Sequence, residues 1–484
     1  MGTFCLVKAL GRIVVICAAL AIAASGQTFT RLVKFNGSNG AKPYYGALTQ
    51  GTDGNLYGTT VIGGSEFGAG GGSGTIYQIT PSGKVTTVYN FCSQANCADG
   101  GGPYGGLMLA ANGNFYGATY GGGTTNLGTA FEFTPQAKLT TLYTFCSAKN
   151  GSGDCLDGTS PLETFFQATN GNIYGLTNIS VDYSAGTIFQ ITPAGKLTTV
   201  HSFGTNEAGG LIQASNGGFY GVTVGGDDQI REFFQLGATG QINTLYTFAT
   251  DQGQPRGLIQ GADGNFYGTT YDGGAEDSGT FYQITPAGEY TQLYSFCAQP
   301  NCADGGGPNE VVQGTDGNFY GTTYMGGSNQ VNGIFVGYGT VFQITPTGAL
   351  TTLYTFCLQG GECADGAHPY AAVTQGTDGN FYGTAYGLQA CPGNCGSAYK
   401  LSMGLAPFVK AVPDFGKAGQ TVMILGNNLT GATSVTFNGV SAAFKVVSST
   451  YIKAQVPVGA NGGTIQVTTP GGTLSSNAEF QALP

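Results

Sequence analysis

The sequence predicts an all-β chain: a seven-bladed β-propeller closed by an N-terminal strand, followed by a smaller β-sandwich. Three observations carry this. First, one phrase, most often Asp-Gly-Asn-Phe-Tyr-Gly-Thr-Thr, recurs seven times. The copies are Asp53–Thr60, Asn112–Thr119, Asn170–Thr177, Asn216–Thr223, Asp263–Thr270, Asp316–Thr323 and Asp378–Ala385. Their tyrosines lie 59, 58, 46, 47, 53 and 62 residues apart, a period that marks propellers and solenoids. Second, the strand that should end the last repeat is missing after Leu401, while an orphan copy, Phe29–Phe35, precedes the first. A propeller uses such permuted ends to remove its open edge, whereas a solenoid wants distinct caps. Third, the repeat pattern stops after Leu401 and a different β pattern begins.

Along the chain, residues 1–26 read as a secretory signal. Lys8 and Arg12 precede the apolar run Ile13–Ala24, and small residues stand before a cut ahead of Gln27. Without Lys8 and Arg12 the formal charge moves from −10 to −12. No later stretch is apolar enough to span a membrane, so no membrane span is expected in the mature chain. A secreted or cell-envelope location follows.

Residues 28–403 hold the repeats, each read as four short strands. In the fifth, Gly257–Gln260 is the first strand, and Ala262-Asp263-Gly264-Asn265 a tight turn. Phe266–Thr270, Gly279–Thr285 and Tyr290–Phe296 follow, the last with imperfect alternation that suggests packing on both faces. The phrase aromatics are expected to pack between blades. The Asp-Gly turns are explained by hairpin chemistry, since each offers at most one carboxylate to a calcium ion.

Charged residues are 9% of the chain, against about 25% in typical domains. No basic patch exists to grip phosphates, so nucleic acid is not an expected partner. Ten cysteines beyond the signal form five close pairs: Cys92/Cys97, Cys146/Cys155, Cys297/Cys302, Cys357/Cys363 and Cys391/Cys395. Disulfides in an oxidising compartment are expected, each contributing about 2 kcal/mol or less. A metal role is disfavoured, because the pairs sit in different repeats and only His201 and His368 offer nitrogen ligands. Neither a metal nor another cofactor is expected.

Four pairs staple links between blades and one staples a second-to-third loop, so all rigidify one face. That face also carries the loops that vary most, Val61–Ser73, Tyr324–Tyr338 and Tyr386–Cys395. Variable loops on a rigid scaffold are where binding resides. The densest acidic departure there is Asp227, Asp228, Asp272, Glu276 and Asp277, in second-to-third loops of repeats four and five. Such carboxylates are candidates for glycoside chemistry or calcium, with solvated loop charge the simpler reading. Arg231 and Glu232 replace the usual Gly-Thr beside them, and His201 replaces a fourth-strand tyrosine as a packing substitute. His368 lies near Asp365, but no nucleophile motif completes a triad.

Residues 406–482 show Pro413, Gly416 and Gly419, then Val422–Leu429, Val435–Gly439, Val456-Pro457, Ile465–Val467 and Gly471-Gly472 before Phe480. This segment resembles the IPT/TIG domain, an immunoglobulin-like β-sandwich, which implies a spacer or interaction role and no catalysis. The repeats resemble the GloVer tandem-repeat family of exported bacterial proteins. The likeness rests on the phrase above, on Gly339–Pro346 (Gly-Thr-Val-Phe-Gln-Ile-Thr-Pro) and on Leu350–Phe356 (Leu-Thr-Thr-Leu-Tyr-Thr-Phe). It implies export and repeat architecture, with no general activity. Members typically carry C-terminal surface-attachment signals; no such motif is seen here. The expected function is therefore non-catalytic binding or scaffolding, toward extracellular polysaccharide or a surface protein. The alternative is a carbohydrate-active enzyme using the acidic loops.

Overall fold

The computed structural model describes residues 27–484 apart from 66–71, 179–185, 205–207, 226–229, 328–329, 332–333, 336, 359–362, 364 and 388–394. The expected signal segment, 1–26, lies outside the described residues. Among the described residues no helix is long and apolar enough to cross a membrane. The structure is all-β, with short 3-10 turns and repeated four-stranded antiparallel sheets in a propeller-like arrangement.

Six sheets are each built from strands consecutive in sequence, apart from a two-stranded insertion in the sixth repeat. The seventh joins Thr374–Gln375, Phe381–Ala385 and Ser397–Ser402 to the N-terminal strand Thr28–Lys34. That strand runs antiparallel to Ser397–Ser402, from Thr28 opposite Ser402 to Lys34 opposite Ser397.

The recurring phrase builds both a turn and a wall. At Asp53 the turn closes with Gly54 N donating to Gly51 O (3.1 Å) and Gly51 N to Asn55 O (2.8 Å). Gly54 alone takes a positive φ, 79°. This is a three-residue hairpin with a glycine bulge, not a two-residue Asp-Gly turn. The aspartate is needed for its carboxylate: Oδ1 accepts Asn55 N, while Oδ2 accepts Asn55 Nδ2, Gln78 Nε2 and the Tyr57 hydroxyl. In the second repeat Asn112 replaces the aspartate, and Glu132 takes the hydroxyl of Tyr116 at 2.8 Å in its stead. The glycine of each Tyr-Gly pair sits under a third-strand ring. A Cβ on Gly268 would lie 2.4 Å from the Tyr282 hydroxyl oxygen.

The phrase aromatics pack between repeats, as expected. Tyr57 meets Phe115 (4.5 Å between centroids), Tyr220 meets Phe266 (4.6 Å), Tyr267 meets Phe319 (4.3 Å) and Tyr320 meets Phe381 (4.0 Å). A glutamine at the end of most first strands accepts from the turn of the preceding repeat. Gln213 takes Thr169 N (2.8 Å), Gln260 takes Ser215 N (2.8 Å) and Gln375 takes Thr315 N (3.0 Å). The same contact joins the last repeat to the first: Gln50 accepts from Thr377 N at 3.0 Å.

The fourth strands differ from expectation. They are half-exposed rather than packed on both faces. Their imperfect alternation comes from a bulge: Phe281 pairs with Tyr294 and Tyr282 with Gln292, leaving Leu293 extra. The same register shift recurs in the other third-to-fourth pairs, where it adds local twist.

Disulfides join Cys92–Cys97, Cys146–Cys155, Cys297–Cys302 and Cys357–Cys363. Cys395 is also disulfide-bonded, while Cys391 lies outside the described residues. Each of the four stapled links encloses an aspartate that satisfies the loop. Asp99 accepts Ser93 N, Gln94 N and the Tyr89 hydroxyl, and Asp304 accepts Ala298 N, Gln299 N and the Tyr294 hydroxyl. Asp157 and Asp365 accept Tyr143 and Tyr354 in the same way.

These buried phenols give the fold a pH signature. Burial first, then the adjacent carboxylate, pushes Tyr116 and Tyr267 up to about 12, and burial first does the same for Tyr89. The unfolded phenol titrates near 10. Between these values the folded chain holds more protons than the unfolded chain, so stability falls as pH rises. The contribution of these tyrosines to stability is expected to be flat below about pH 10 and to fall progressively up to about pH 12. Tyrosinate absorbance and circular dichroism should change together over that window. Tyrosinate appearing well before structure is lost would contradict this.

The C-terminal part forms two four-stranded sheets. One comprises Lys410–Val412, Thr421–Leu425, Tyr451–Gln455 and Phe444–Ser448. The other comprises Val440–Ser441, Ser434–Phe437, Ile465–Thr469 and Gly472–Ser475. Val422, Ile424, Phe437, Ile452, Val467 and Phe480 fill the space between them. The alternate residues Met423 and Leu425, with Val412, pack instead on Tyr57, Leu109 and Phe115 of the repeats. Thr450 Oγ1 donates to Thr52 O (2.9 Å), Asn427 Nδ2 to Thr377 Oγ1 (2.9 Å) and Gln481 Nε2 to Ser215 O (2.7 Å). The sandwich thus sits on the short-turn face. Leu109 stands where most repeats have glutamine, trading the polar clamp for an apolar contact.

Candidate functional site

The first strands of the repeats converge, and small residues allow it. A Cβ on Gly46 would meet the backbone of Gly105 and Gly106 at 3.0 Å, and one on Gly105 would meet Glu163 O at 2.7 Å. Gly210 and Gly257 approach one another in the same way. Where the strands begin, at the stapled face, they enclose a cavity of about 460 Å³. This lies within the roughly 300–1,000 Å³ usual for small-molecule sites. Its wall includes Tyr45, Glu163, Arg256, Asn309, Glu310 and Tyr370.

Glu163, Arg256 and Glu310 act on one another electrostatically. Burial first, then the Glu310 carboxylate, pushes Glu163 up to about 8 against the opposing effect of Arg256. Burial also raises Glu310, again opposed by Arg256. By accessible surface Glu163 is half-buried and Glu310 exposed, so solvent tempers the desolvation that raises both. Glu310 folds over Gly257, where a Cβ would fall 2.2 Å from its Cγ. The Arg256 guanidinium stacks on Tyr271 at 4.2 Å. Asn309 is 2% exposed; its Nδ2 donates to Thr322 Oγ1 (2.9 Å) and Pro369 O (2.8 Å), and its Oδ1 has no donor.

Tyrosines crowd the mouth. Tyr44 contacts Tyr45, Tyr370, Tyr386 and Tyr104 at centroid distances of 4.1, 4.4, 5.0 and 5.5 Å. His368 continues the cluster, with Nδ1 on Tyr324 O at 3.0 Å and its pKa lowered mainly by burial. Aromatic walls with a few convergent polar groups are the usual form of a small-ligand site.

A family profile described as the Gloeobacter/Verrucomicrobia repeat matches residues 65–250 and 232–443, and the IPT/TIG domain profile matches 407–482. The chain belongs to the Gloeobacter/Verrucomicrobia repeat family. No curated protein sequence matches it significantly. Solved structures that resemble this repeat protein include an oxidoreductase described as a glucose dehydrogenase from Thermus thermophilus. It shows 15% identity and a TM-score of 0.40, over 63% of this chain and 97% of that one. A gluconolactonase from Xanthomonas campestris shows 11% identity and a TM-score of 0.37, over 64% and 90%. The luciferin-regenerating enzyme shows 12% identity and a TM-score of 0.38, over 79% and 98%. No activity follows for this chain from likenesses of this size.

The acidic loop residues are distributed as follows in this Gloeobacter/Verrucomicrobia repeat protein. Asp227 and Asp228 lie outside the described residues. Asp272 Oδ1 accepts Gln254 N at 2.6 Å, and Asp277 Oδ1 accepts Gly273 N at 2.9 Å, so both brace backbone at the same loop. Glu276 is exposed and receives Ser278 Oγ on its carbonyl. None of these three is among the cavity-lining residues, although Gln254, held by Asp272, is. Arg231 is buried, and Glu232 accepts Thr244 Oγ1 at 2.9 Å. His201 packs edge-on to Phe203 and contacts Gly240 O, as a tyrosine substitute should.

Sequence reasoning missed Glu163, Arg256 and Glu310, though a signal was present. When the repeats are aligned on the first strand, the two residues before its apolar core are Gly46-Ala47, Gly105-Gly106, Gly209-Gly210 and Ala371-Ala372 in four copies. They are Glu163-Thr164, Arg256-Gly257 and Asn309-Glu310 in the others. Long polar side chains where packing wants small ones are the departure that mattered.

Proposed function

We propose that this chain is an exported, non-catalytic binding protein that takes a saccharide of the extracellular or cell-envelope milieu into the axial cavity. In this reading residues 28–403 form a seven-bladed propeller closed by the N-terminal strand, and 406–482 a spacer module on its opposite face. The Thr28–Lys34 pairing and the Gln50–Thr377 contact support closure. The disulfides support an oxidising compartment. The observation that carries the binding reading is the cavity itself: polar departures from the repeat placed where the strands converge, beneath a tyrosine mouth.

The test is retention of residues 27–484 on a panel of insoluble and gel-embedded polysaccharides. Arg256→Ala is expected to weaken retention about tenfold or more, as loss of a charge-assisted contact does, with circular dichroism showing that the fold is kept. Equal retention of both proteins would remove Arg256 from the site. Retention on no matrix would favour a surface-protein partner instead.

A second reading has one specific support. Two carboxyls in one cavity, one of them held protonated near neutrality, suit acid–base chemistry on a glycosidic bond. The chain would then be a carbohydrate-active enzyme, with Asp227, Asp228, Asp272, Glu276 and Asp277 of repeats four and five shaping or extending the site. Release of new reducing ends or unsaturated sugars from a retained polysaccharide would establish it. Retention without release would exclude it for the panel.

A further inference from the structure

We infer that the cavity recognises a primary ammonium group carried on a saccharide, a hexosamine residue with a free amine, in preference to neutral or acidic sugars. This rests on the saccharide reading above and narrows it. Among the described residues, the charged groups lining the cavity are two carboxyls and one guanidinium. Neither Glu163 nor Glu310 accepts a hydrogen bond from a described residue. Asn309 Oδ1 is buried and lacks a donor, and its amide cannot flip, because Nδ2 is committed to two acceptors. Against these acceptors stands one cation, Arg256, which is partly engaged by the Tyr271 ring. With both carboxyls ionised, the three charges sum to −1.

An ammonium supplies three donors and one positive charge in a compact group. It would pair with both carboxyls, while the rings of Tyr45 and Tyr370 offer cation–π contact. A ligand carboxylate would face the Glu310 charge and would give Glu163 no reason to release its proton. A neutral hydroxyl brings a single proton and leaves the charge uncompensated. Tyr44 and Tyr104 add aromatic surface beside the mouth for following sugar rings, while Lys42 lies over the Tyr386 ring (5.4 Å), which favours a saccharide over a lysine side chain.

A consequence concerns protons. The groups facing Glu163 are Glu310, Arg256 and Tyr45. Burial holds Glu163 protonated near neutrality, and an ammonium-bearing ligand would displace that proton. Binding should therefore release a proton at neutral pH.

The experiment is calorimetric titration of residues 27–484 with glucosamine oligomers, their N-acetylated counterparts, glucose oligomers and oligolysine. Each titration is run in two buffers of different ionisation enthalpy. The free-amine sugars are expected to bind at least about tenfold more tightly than the acetylated ones, with a buffer-dependent enthalpy that marks proton release. Glu163→Gln and Glu310→Gln should each abolish that preference without shifting the thermal midpoint. Equal affinity for aminated, acetylated and neutral oligomers would overturn the ammonium assignment and leave the saccharide reading standing. Binding to oligolysine alone, or to nothing, would overturn both. The ligand comparison needs only the unaltered protein, so it decides the matter even where a variant folds poorly.

Discussion

Asp304→Ala is expected to lower the unfolding free energy by about 3 kcal/mol, because it strands three donors that one buried carboxylate holds. Asp304 is fully buried, and its carboxylate takes the Tyr294 hydroxyl at 2.8 Å, Ala298 N at 3.0 Å and Gln299 N at 3.2 Å. Those two amides belong to the loop that Cys297 and Cys302 close. Alanine leaves the loop covalently intact but electrostatically empty. Tyr294→Phe removes only one donor and should cost about 1 kcal/mol. Asp304→Asn retains one acceptor oxygen and should fall between them. Urea denaturation of the oxidised protein would read the series. A loss under about 1 kcal/mol for the alanine variant would mean that water reaches the loop and takes over the donors. Disulfides of this span contribute about 2 kcal/mol or less by loop closure, so each aspartate is expected to matter more than the bond beside it.

The second large effect is at the contact between the two parts of the chain. Met423→Asp should detach the C-terminal sandwich from the repeats, at a cost of about 3 kcal/mol in docking. Met423 is 4% exposed and packs with Leu109, Phe115 and Leu425, whereas its neighbours Val422 and Ile424 point into the sandwich core. Strand alternation thus separates docking from folding, and the variant should keep a folded sandwich. Small-angle scattering should show a larger radius of gyration, and proteolysis around Gly404 should accelerate. Val447→Asp, at an exposed position on the same module, is the control and should change neither. An unchanged scattering profile for Met423→Asp would mean that the inter-part hydrogen bonds suffice to hold the contact.

Much of the architecture was legible in the sequence because the repeat obeys local rules. Turn glycines, alternating aromatics and close cysteine pairs are short-range signals, and they placed the strands, the orphan first strand and four disulfides. Misreadings arose where the physics is non-local. The fourth strand looked doubly buried because a bulge disturbs its alternation, and a bulge depends on the partner strand. Asp99, Asp157 and Asp304 carry no mark in the sequence, yet each is buried and accepts from its own loop's amides. The acidic loops of repeats four and five are conspicuous in sequence because their carboxylates lie close together along the chain. Glu163, Arg256 and Glu310 are scattered over the third, fifth and sixth repeats, and only the convergence of first strands brings them together. Leu109 in place of glutamine marks the surface where the sandwich rests, a signal that only the docked module makes readable.

The pairing of Thr28–Lys34 with Ser397–Ser402 also sets a timetable. All other four-stranded sheets of the repeats use strands from one stretch of chain and can assemble as that stretch becomes available. The last cannot. Its outer strand precedes every other strand of the repeat region, and the partner is among the last of that region. Closing a loop of that length costs roughly 3 kcal/mol more entropy than closing a ten-residue one. Folding should therefore be polar in time, with the inner repeats forming early and the seam zipping last. Until then the edge of Ser397–Ser402 is open to any passing strand, including Thr28–Lys34 of another molecule. Crowded or fast synthesis would favour strand-exchanged oligomers, and slow release of the chain would favour the monomer.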